Sequence, residues 1–355
     1  MSKYLSKKYE SLLPYTPGEQ PKERSYIKLN TNESPYPPSP RAIELATAEA
    51  SRNMLYSDPE MRDLRAKMAG YYSVDESSLI MTNGSDEVLN FAFMAFCDES
   101  RPAVFADITY GFYRVFAELN SLPYEIIPLR EDFSIAIEDY RGKVGTVIIA
   151  NPNAPTGIAL PLEDIRALLE ENPDRIVIVD EAYVDFGAKS AVPLTKEYKN
   201  LLVTGTFSKS RSMAGARLGF AIGDAELIAD LHRLRYSTNP DNVNRMTLAM
   251  GVGSLCDEEY FKQNCQSIID TREKTTAALL SLGFTATPSS ANFIFAKHSK
   301  ISGEELYLKL KENGVLVRHF TQERIKDYNR ITVGSDREME AFLKATEEIL
   351  KELEG

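Results

Sequence analysis

Lys209 lies in the run Thr206-Phe207-Ser208-Lys209-Ser210, with Arg217 eight residues further on and Asp180-Glu181-Ala182-Tyr183 upstream. A lone lysine is most often a solvated surface charge. Together, though, these groups have a chemical use. An amine can hold an aldehyde as a Schiff base, an acid can keep a pyridine nitrogen protonated so that the ring draws electrons, and cations or backbone donors can hold a phosphate. Amine, acid and cation, in a workable order, are what a pyridoxal phosphate site needs.

Such a site needs elements that bring distant residues to one crevice. Val144 to Ala150 and Arg175 to Asp180 are short, nearly continuous apolar runs that read as buried parallel strands. Between them Leu162, Ile165, Leu168 and Leu169 fall at helical spacing, which makes a strand-helix-strand unit. Leu201 to Thr204 and Leu218 to Ile222 read as further strands, and Ser85 to Cys97 as a helix apolar on one side. Ligands of open parallel sheets gather beyond the carboxyl ends of the strands, so Asp180 and Lys209 are expected to face one crevice. Beyond about Cys256 the pattern changes to helices over Glu258–Leu282, Glu304–Asn313 and Glu338–Glu352, with strands at Asn292–Ala296, Val315–Arg318 and Arg330–Val333. The proline-dense run Ser34 to Pro40 is expected to be an extended crossing, neither helix nor interior strand.

Composition excludes several classes. The chain has 355 residues, 43% hydrophobic and 26% charged, which suits a large core with a second, smaller unit. A net charge of -11 argues against nucleic acid or an anionic membrane as partner. Small anionic substrates stay open, because a local arginine cluster can override the global sign. Cys97, Cys256 and Cys265 form no CxxC and no metal-like cluster with His232, His298 and His319, so reduced thiols and no metal are expected. The stretch from Met1 to Glu10 has no apolar run of signal-peptide length, and no apolar span approaches membrane length, which points to the cytoplasm.

Over nearly its whole length the chain resembles the fold-type I pyridoxal phosphate aminotransferases, and among these the histidinol-phosphate aminotransferase family. The resemblance rests on Pro14-Tyr15-Thr16-Pro17-Gly18, Leu29-Asn30-Thr31-Asn32-Glu33, Asn83-Gly84-Ser85-Asp86-Glu87, Tyr110-Gly111 and Pro152 to Gly157. It rests equally on Asp180 to Tyr183, Ser208-Lys209, Ala214 to Gly219 and Arg330 to Gly334. It implies an aspartate aminotransferase-like α/β fold. A large cofactor domain over 41–255 would hold a mostly parallel seven-stranded sheet flanked by helices. A smaller α/β domain would be built from the arm 1–40 and from 256–355.

The resemblance also implies roles. Lys209 would form the Schiff base and, once freed by substrate, move the proton between Cα and the cofactor. Asp180 would pair with the ring nitrogen; taken alone it could equally cap a helix, although an acid ending an apolar strand is costly without a partner. Tyr183 would hydrogen-bond the ring's 3′ oxygen and Tyr110 would lie against the ring face, while as isolated tyrosines both read as core packing. Gly84, Ser85 and Asp86, at a helix start, would offer N–H groups and the helix dipole to the phosphate, joined by Arg217, Thr206 and Ser208. Tyr56 would reach the phosphate of a neighbouring subunit, which requires a homodimer with shared sites. Arg330 would meet the α-carboxylate of an amino acid, while Arg318 and Tyr15 would hold the distal phosphate of histidinol phosphate, which has no carboxylate and so leaves the two arginines to divide the work differently. Asn32 would line the same pocket. The implied reaction is a ping-pong transfer between histidinol phosphate and 2-oxoglutarate.

Two positions depart from the family pattern. Ala154 stands where relatives carry the asparagine that meets the 3′ oxygen, and Asn153, one residue earlier, is the candidate to replace it. Ser34 replaces another asparagine. An aromatic or other amino-acid aminotransferase, or a phosphothreonine-type decarboxylase, would keep the same cofactor residues. A non-catalytic binding or regulatory module of this fold would have lost the lysine or carry an attached DNA-binding domain, and the sequence shows neither sign. A nicotinamide dehydrogenase would need a GxGxxG turn after a strand, and none occurs.

Overall fold

The computed structural model describes residues 2–353; Met1 and residues 354–355, which end the two outer segments delimited above, lie outside it. Along the chain run β1 (Ile27–Lys28), α1 (Pro40–Glu49), α2 (Arg62–Tyr72), β2 (Leu79–Thr82), α3 (Ser85–Phe96), β3 (Ala103–Ala106), α4 (Phe112–Leu119) and β4 (Tyr124–Ile127). Then come β5 (Thr146–Ala150), α5 (Leu162–Glu171), β6 (Val177–Asp180), β7 (Leu201–Thr206), β8 (Gly219–Gly223), α6 (Ala225–Thr238) and α7 (Arg245–Cys256). The last part holds α8 (Glu258–Ser281), β9 (Phe284–Ala286), β10 (Phe293–His298), α9 (Gly303–Glu312), β11 (Val315–Leu316), β12 (Arg318–His319), β13 (Asn329–Thr332) and α10 (Asp336–Glu352).

The fold is α/β, as the patterning predicts. A seven-stranded sheet has the order β2-β8-β7-β6-β5-β3-β4, and only β8 runs against its neighbours. All its strands but the edge strand β4 are buried on both faces, which explains their continuous apolar runs. Met81, Val147, Val179 and Val203 pack into one core, while Ile80, Ile148, Ile178 and Leu202 pack into the other. Alternation along each strand thus feeds two layers of helices. Beside it, β12-β13-β10-β9 form a four-stranded antiparallel sheet with its own core, including Ile294, Ile331 and Phe342.

Two expectations need correction. The strand expected over Val315–Arg318 breaks in two: β11 pairs in parallel with β1, whereas β12 joins β13 in the four-stranded sheet. The chain thereby changes sheets at Val317, and Arg318 turns toward the cleft between them. The proline run is also not wholly extended. Pro40 opens α1, with the Ser39 hydroxyl accepting from the Ala42 N–H at 3.2 Å. Proline fits the first helical position because that N–H has no partner in any case.

α1 and α7 cross closely, since a Cβ on Gly253 would lie 2.6 Å from the Ala42 Cα. Nothing but hydrogen fits there. Gly253→Ala is expected to cost about 1–3 kcal/mol through overpacking, read as a lower midpoint in chemical denaturation with an unchanged slope.

Candidate active site

Three adjacent strand ends of the large sheet converge on one cavity of about 330 Å³. Ala150 and Pro152 come from the end of β5, Asp180 and Tyr183 from that of β6, and Thr206, Ser208 and Lys209 from that of β7. Ser85 and Asp86 open α3 on the same wall, and Arg217 closes it just before β8. A second cavity of about 390 Å³ shares Thr31, Tyr110, Ala154, Tyr183 and Lys209 with the first. It extends to Tyr15, Asn32, Arg318 and Arg330.

Asp180 sits at the inner end, almost fully buried. Tyr113 donates its hydroxyl to one carboxylate oxygen at 2.7 Å, and Thr204 donates to the other at 3.3 Å. Burial is the largest influence and lifts its pKa to about 6, with the nearby Asp86 charge adding to the rise and the donors opposing it. Its neighbour Glu181 faces elsewhere, toward the Ser190 hydroxyl and the Ala191 N–H, and burial lifts its pKa to about 8.

At the opposite end α3 begins on Gly84, which has no side chain to cap the helix. Its first N–H groups therefore stay available. Gly84 holds φ +82°, and a Cβ there would lie 2.5 Å from the Arg217 guanidinium, so only glycine lets that arginine cross the helix start. Arg217 donates to Asp86 at 2.9 Å, and Tyr110 donates to the other oxygen of Asp86 at 2.7 Å.

Lys209 lies between these ends, its Nζ 3.4 Å from the Thr31 carbonyl and 5.9 Å from the Tyr183 ring centroid. Asn32 donates to the Tyr183 hydroxyl at 2.8 Å, which leaves the Tyr183 proton free to point into the cavity. Arg330 gives one N–H to the Asn30 carbonyl at 3.1 Å, while its buried Nε has no partner among the described residues. Arg318 reaches the carbonyls of Thr16 and Pro17 at 3.3 and 3.4 Å.

Three residues singled out in the sequence lie off both cavities. Gly84 acts through its backbone, as described. Tyr56 is 85% exposed, and Arg245 donates to its carbonyl. Asn153, the candidate contact to a ring oxygen, has its side chain bonded away from the cavity. Its amide donates to the Ile108 carbonyl and the Thr156 hydroxyl, and its oxygen accepts from Thr109. Those bonds spend the side chain on holding the Pro152–Gly157 turn, because adjacent residues point apart and Ala154 is the one that faces the cavity. Sequence reasoning missed Tyr113, Thr204, Thr31 and Glu33. Tyr113 follows Tyr110 by one helical turn, the only available signal, and inside Phe112–Leu119 it reads as core.

The donor set fits pyridoxal phosphate. A buried acid for a ring nitrogen lies at one end, an uncapped helix start with an arginine and two hydroxyls at the other, and an amine between. The fit agrees with comparison to known proteins. The model of the family described as aminotransferase class I and II matches residues 24–345. A histidinol-phosphate aminotransferase of Brachyspira hyodysenteriae is 48% identical over 354 residues, covering 99% of this chain and 100% of that one. One from a Marinomonas species is 50% identical over 349 residues, covering 97% and 99%. In fold, the crystal structure of histidinol-phosphate aminotransferase from Sinorhizobium meliloti in complex with pyridoxal-5'-phosphate superposes with a TM-score of 0.90 at 21% identity, covering 99% of both chains. With an amine, a buried acid and an uncapped helix start around one cavity, the chain belongs to the class I and II aminotransferases, a pyridoxal phosphate-dependent enzyme family.

Proposed function

We propose that the chain transfers an amino group between histidinol phosphate and 2-oxoglutarate in a ping-pong cycle. The observation that carries this reading is the second cavity, which begins at Lys209 and ends at Arg318 and Arg330, one of them with an unsatisfied buried N–H. A buried donor without a partner is costly, so an anionic group in that cavity is strongly favoured. Relatives nearly half identical over the full length are named for histidinol phosphate, an amine that carries such a group.

When bound, pyridoxal phosphate supplies an aldehyde for an amine and a protonated ring that draws electrons from the adjoining carbon. The residues divide the remaining work. Lys209 would hold the cofactor through its amine and, once free, its Nζ would carry the proton between substrate Cα and the cofactor. Asp180 pairs with the ring nitrogen, and Tyr183, steadied by Asn32, donates to the ring's 3′ oxygen. The α3 start, Ser85, Arg217, Thr206 and Ser208 hold the phosphate. Asp86 orients Arg217 and Tyr110 rather than meeting the phosphate itself, since a carboxylate beside it would repel. Arg318, with Tyr15 across the mouth, binds the distal phosphate of histidinol phosphate, and Arg330 the α-carboxylate of an amino-acid substrate.

The same reading makes the enzyme a cytoplasmic homodimer. Met54 at 80%, Leu55 at 52% and Tyr56 at 85% exposure form an apolar stretch that a second copy would cover, bringing Tyr56 to the partner's phosphate cradle. The separate cores of the two sheets support a cofactor domain over 41–255 and a smaller one over 256–355 joined by the arm. Free thiols, and the lack of any helix among the described residues long and apolar enough to cross a membrane, accord with the cytoplasm.

Three outcomes test this. Mixing the cofactor-loaded protein separately with histidinol phosphate, histidinol, phenylalanine and glutamate is expected to change the cofactor's absorbance fastest with histidinol phosphate and poorly with histidinol. Conversion by phenylalanine alone would replace this substrate with an aromatic one. Arg318→Ala is expected to lower kcat/KM for histidinol phosphate about 10–100-fold, the scale of one charge-assisted contact, with little change for glutamate; an equal loss for both would remove its phosphate role.

Asp180→Asn separates function from stability. Because burial raises the folded-state pKa to about 6, ionised Asp180 works against folding above that pH, and stability is recovered as pH falls toward the unfolded-state value. In cofactor-free protein the substitution is therefore expected to add up to about 3 kcal/mol at pH near 8, fading toward pH 5, while transamination drops about 100-fold or more. Equal effects on stability at both pH values would contradict a charge penalty.

A further inference from the structure

We propose that Tyr113 is a positioning residue for this reaction, its hydroxyl holding Asp180 ionised and facing the cavity so that the acid is available to the cofactor's ring nitrogen. The inference deepens the function proposed above and rests on its assignment of Asp180.

Tyr113 is fully buried and lines neither cavity, so it can act only through what it touches. Its ring is fixed by aromatic neighbours on several sides, with Phe105 at 5.9 Å, Phe93 at 6.3 Å and Tyr110 edge-on at 5.6 Å. Among the described residues its hydroxyl bonds to Asp180 alone, at 2.7 Å. A buried carboxylate is usually satisfied by a cation. Here a cation would compete with the ring nitrogen for the same charge, whereas a neutral phenol satisfies one lone pair and leaves the charge available. Burial and the adjacent carboxylate keep the phenol protonated far above neutrality, so the donor is permanent.

The surroundings of Asp180 make this donor matter. From β7 comes only the longer Thr204 bond, and from the turn after β6 the Ala182 N–H. Asp86 at the α3 start opposes the charge, as does Glu181 next in the chain. The cations sharing the cavity, Lys209 and Arg217, lie across it with Tyr183, Tyr110 and Glu33, and neither bonds to Asp180. Tyr110, just before α4, and Tyr113, in its first turn, thus hold the cavity's two opposed acids, Asp86 and Asp180.

The test uses Tyr113→Phe, which keeps the ring and removes only the hydroxyl. Cofactor-free wild type and variant are titrated with pyridoxal phosphate and with the analogue whose ring nitrogen is replaced by carbon. The variant is expected to bind pyridoxal phosphate about tenfold more weakly near pH 6, and less weakened near pH 8, where Asp180 is ionised without help. It should bind the carbon analogue as the wild type does. An equal loss for both ligands would reduce Tyr113 to a packing role, and no loss for either would overturn the proposal. Wild type that binds the two ligands alike would instead sink the pairing of Asp180 with the ring nitrogen. Should the variant fail to fold, Thr204→Val removes the other side-chain donor and is expected to give a smaller loss of the same nitrogen-dependent kind; a loss independent of the nitrogen would count against the proposal.

Discussion

A carboxylate buried at the end of a central strand is the constraint around which this site is built. Asp180 must stay charged to be useful, yet taking a carboxylate out of water costs several kcal/mol even after relaxation. The structure offsets that cost with donors from three directions: α4, β7 and the turn after β6. Each donor fixes an element. α4 must pack where Tyr113 reaches the end of β6, and β7 must lie beside it so that Thr204 stands next to Asp180 in register. The Lys209 turn then follows at the end of β7, on the same edge as the acid. The relation between amine and acid is thus set by sheet register rather than by loop conformation.

The charge pattern follows from the same geometry. The chain is acidic overall, yet its cleft gathers Lys209, Arg217, Arg318 and Arg330. Asp86 and Asp180 keep the first cavity from being simply cationic, and each is held by a tyrosine hydroxyl rather than surrendered to one of those cations alone. The second cavity has no such acid in its lining, so its arginines offer their N–H groups to backbone carbonyls at 3.1–3.4 Å. Such contacts are long for arginine, and an anion replaces them at little cost. One cavity is therefore suited to a zwitterionic ring system and the other to an anion.

Much of this was legible in the sequence for one physical reason. Strands of a parallel sheet covered on both faces are apolar throughout, so β5 and β6 stand out, and their ends carry Asp180 and the turn before Ala154. α5, α8 and α10 show one apolar face each and were equally visible. α7 was not, because its sequence is apolar nearly all round and has no polar face to set the period. The split between β11 and β12 was hidden as well, since a continuous Val315–Arg318 run carries no mark of the change of sheet. At the site, residue types that do chemistry were readable, but directions were not. Asn153 and Ala154 differ by one position and face opposite ways, and Tyr113 is indistinguishable from core until its hydroxyl is seen against Asp180.

What no pattern predicted is where the backbone is strained. Asn32, Ser212 and Arg217 all adopt left-handed conformations with φ of 57–58°, and all lie around the cleft. The conformation costs roughly 1–2 kcal/mol for residues other than glycine, less for asparagine. Each is over-determined by neighbours. Asn32 is pinned through Thr332 and Asn292, Ser212 through the Lys209 carbonyl and the Ser34 hydroxyl, and the residue before Arg217 through Thr247. The strain has a use at each place. Asn32 turns its amide to the Tyr183 hydroxyl, Ser212 closes the turn that presents Lys209, and Arg217 bends back over Gly84 rather than continuing outward from β8. A relaxed backbone at any of these points would leave the residue types unchanged and the constellation unassembled.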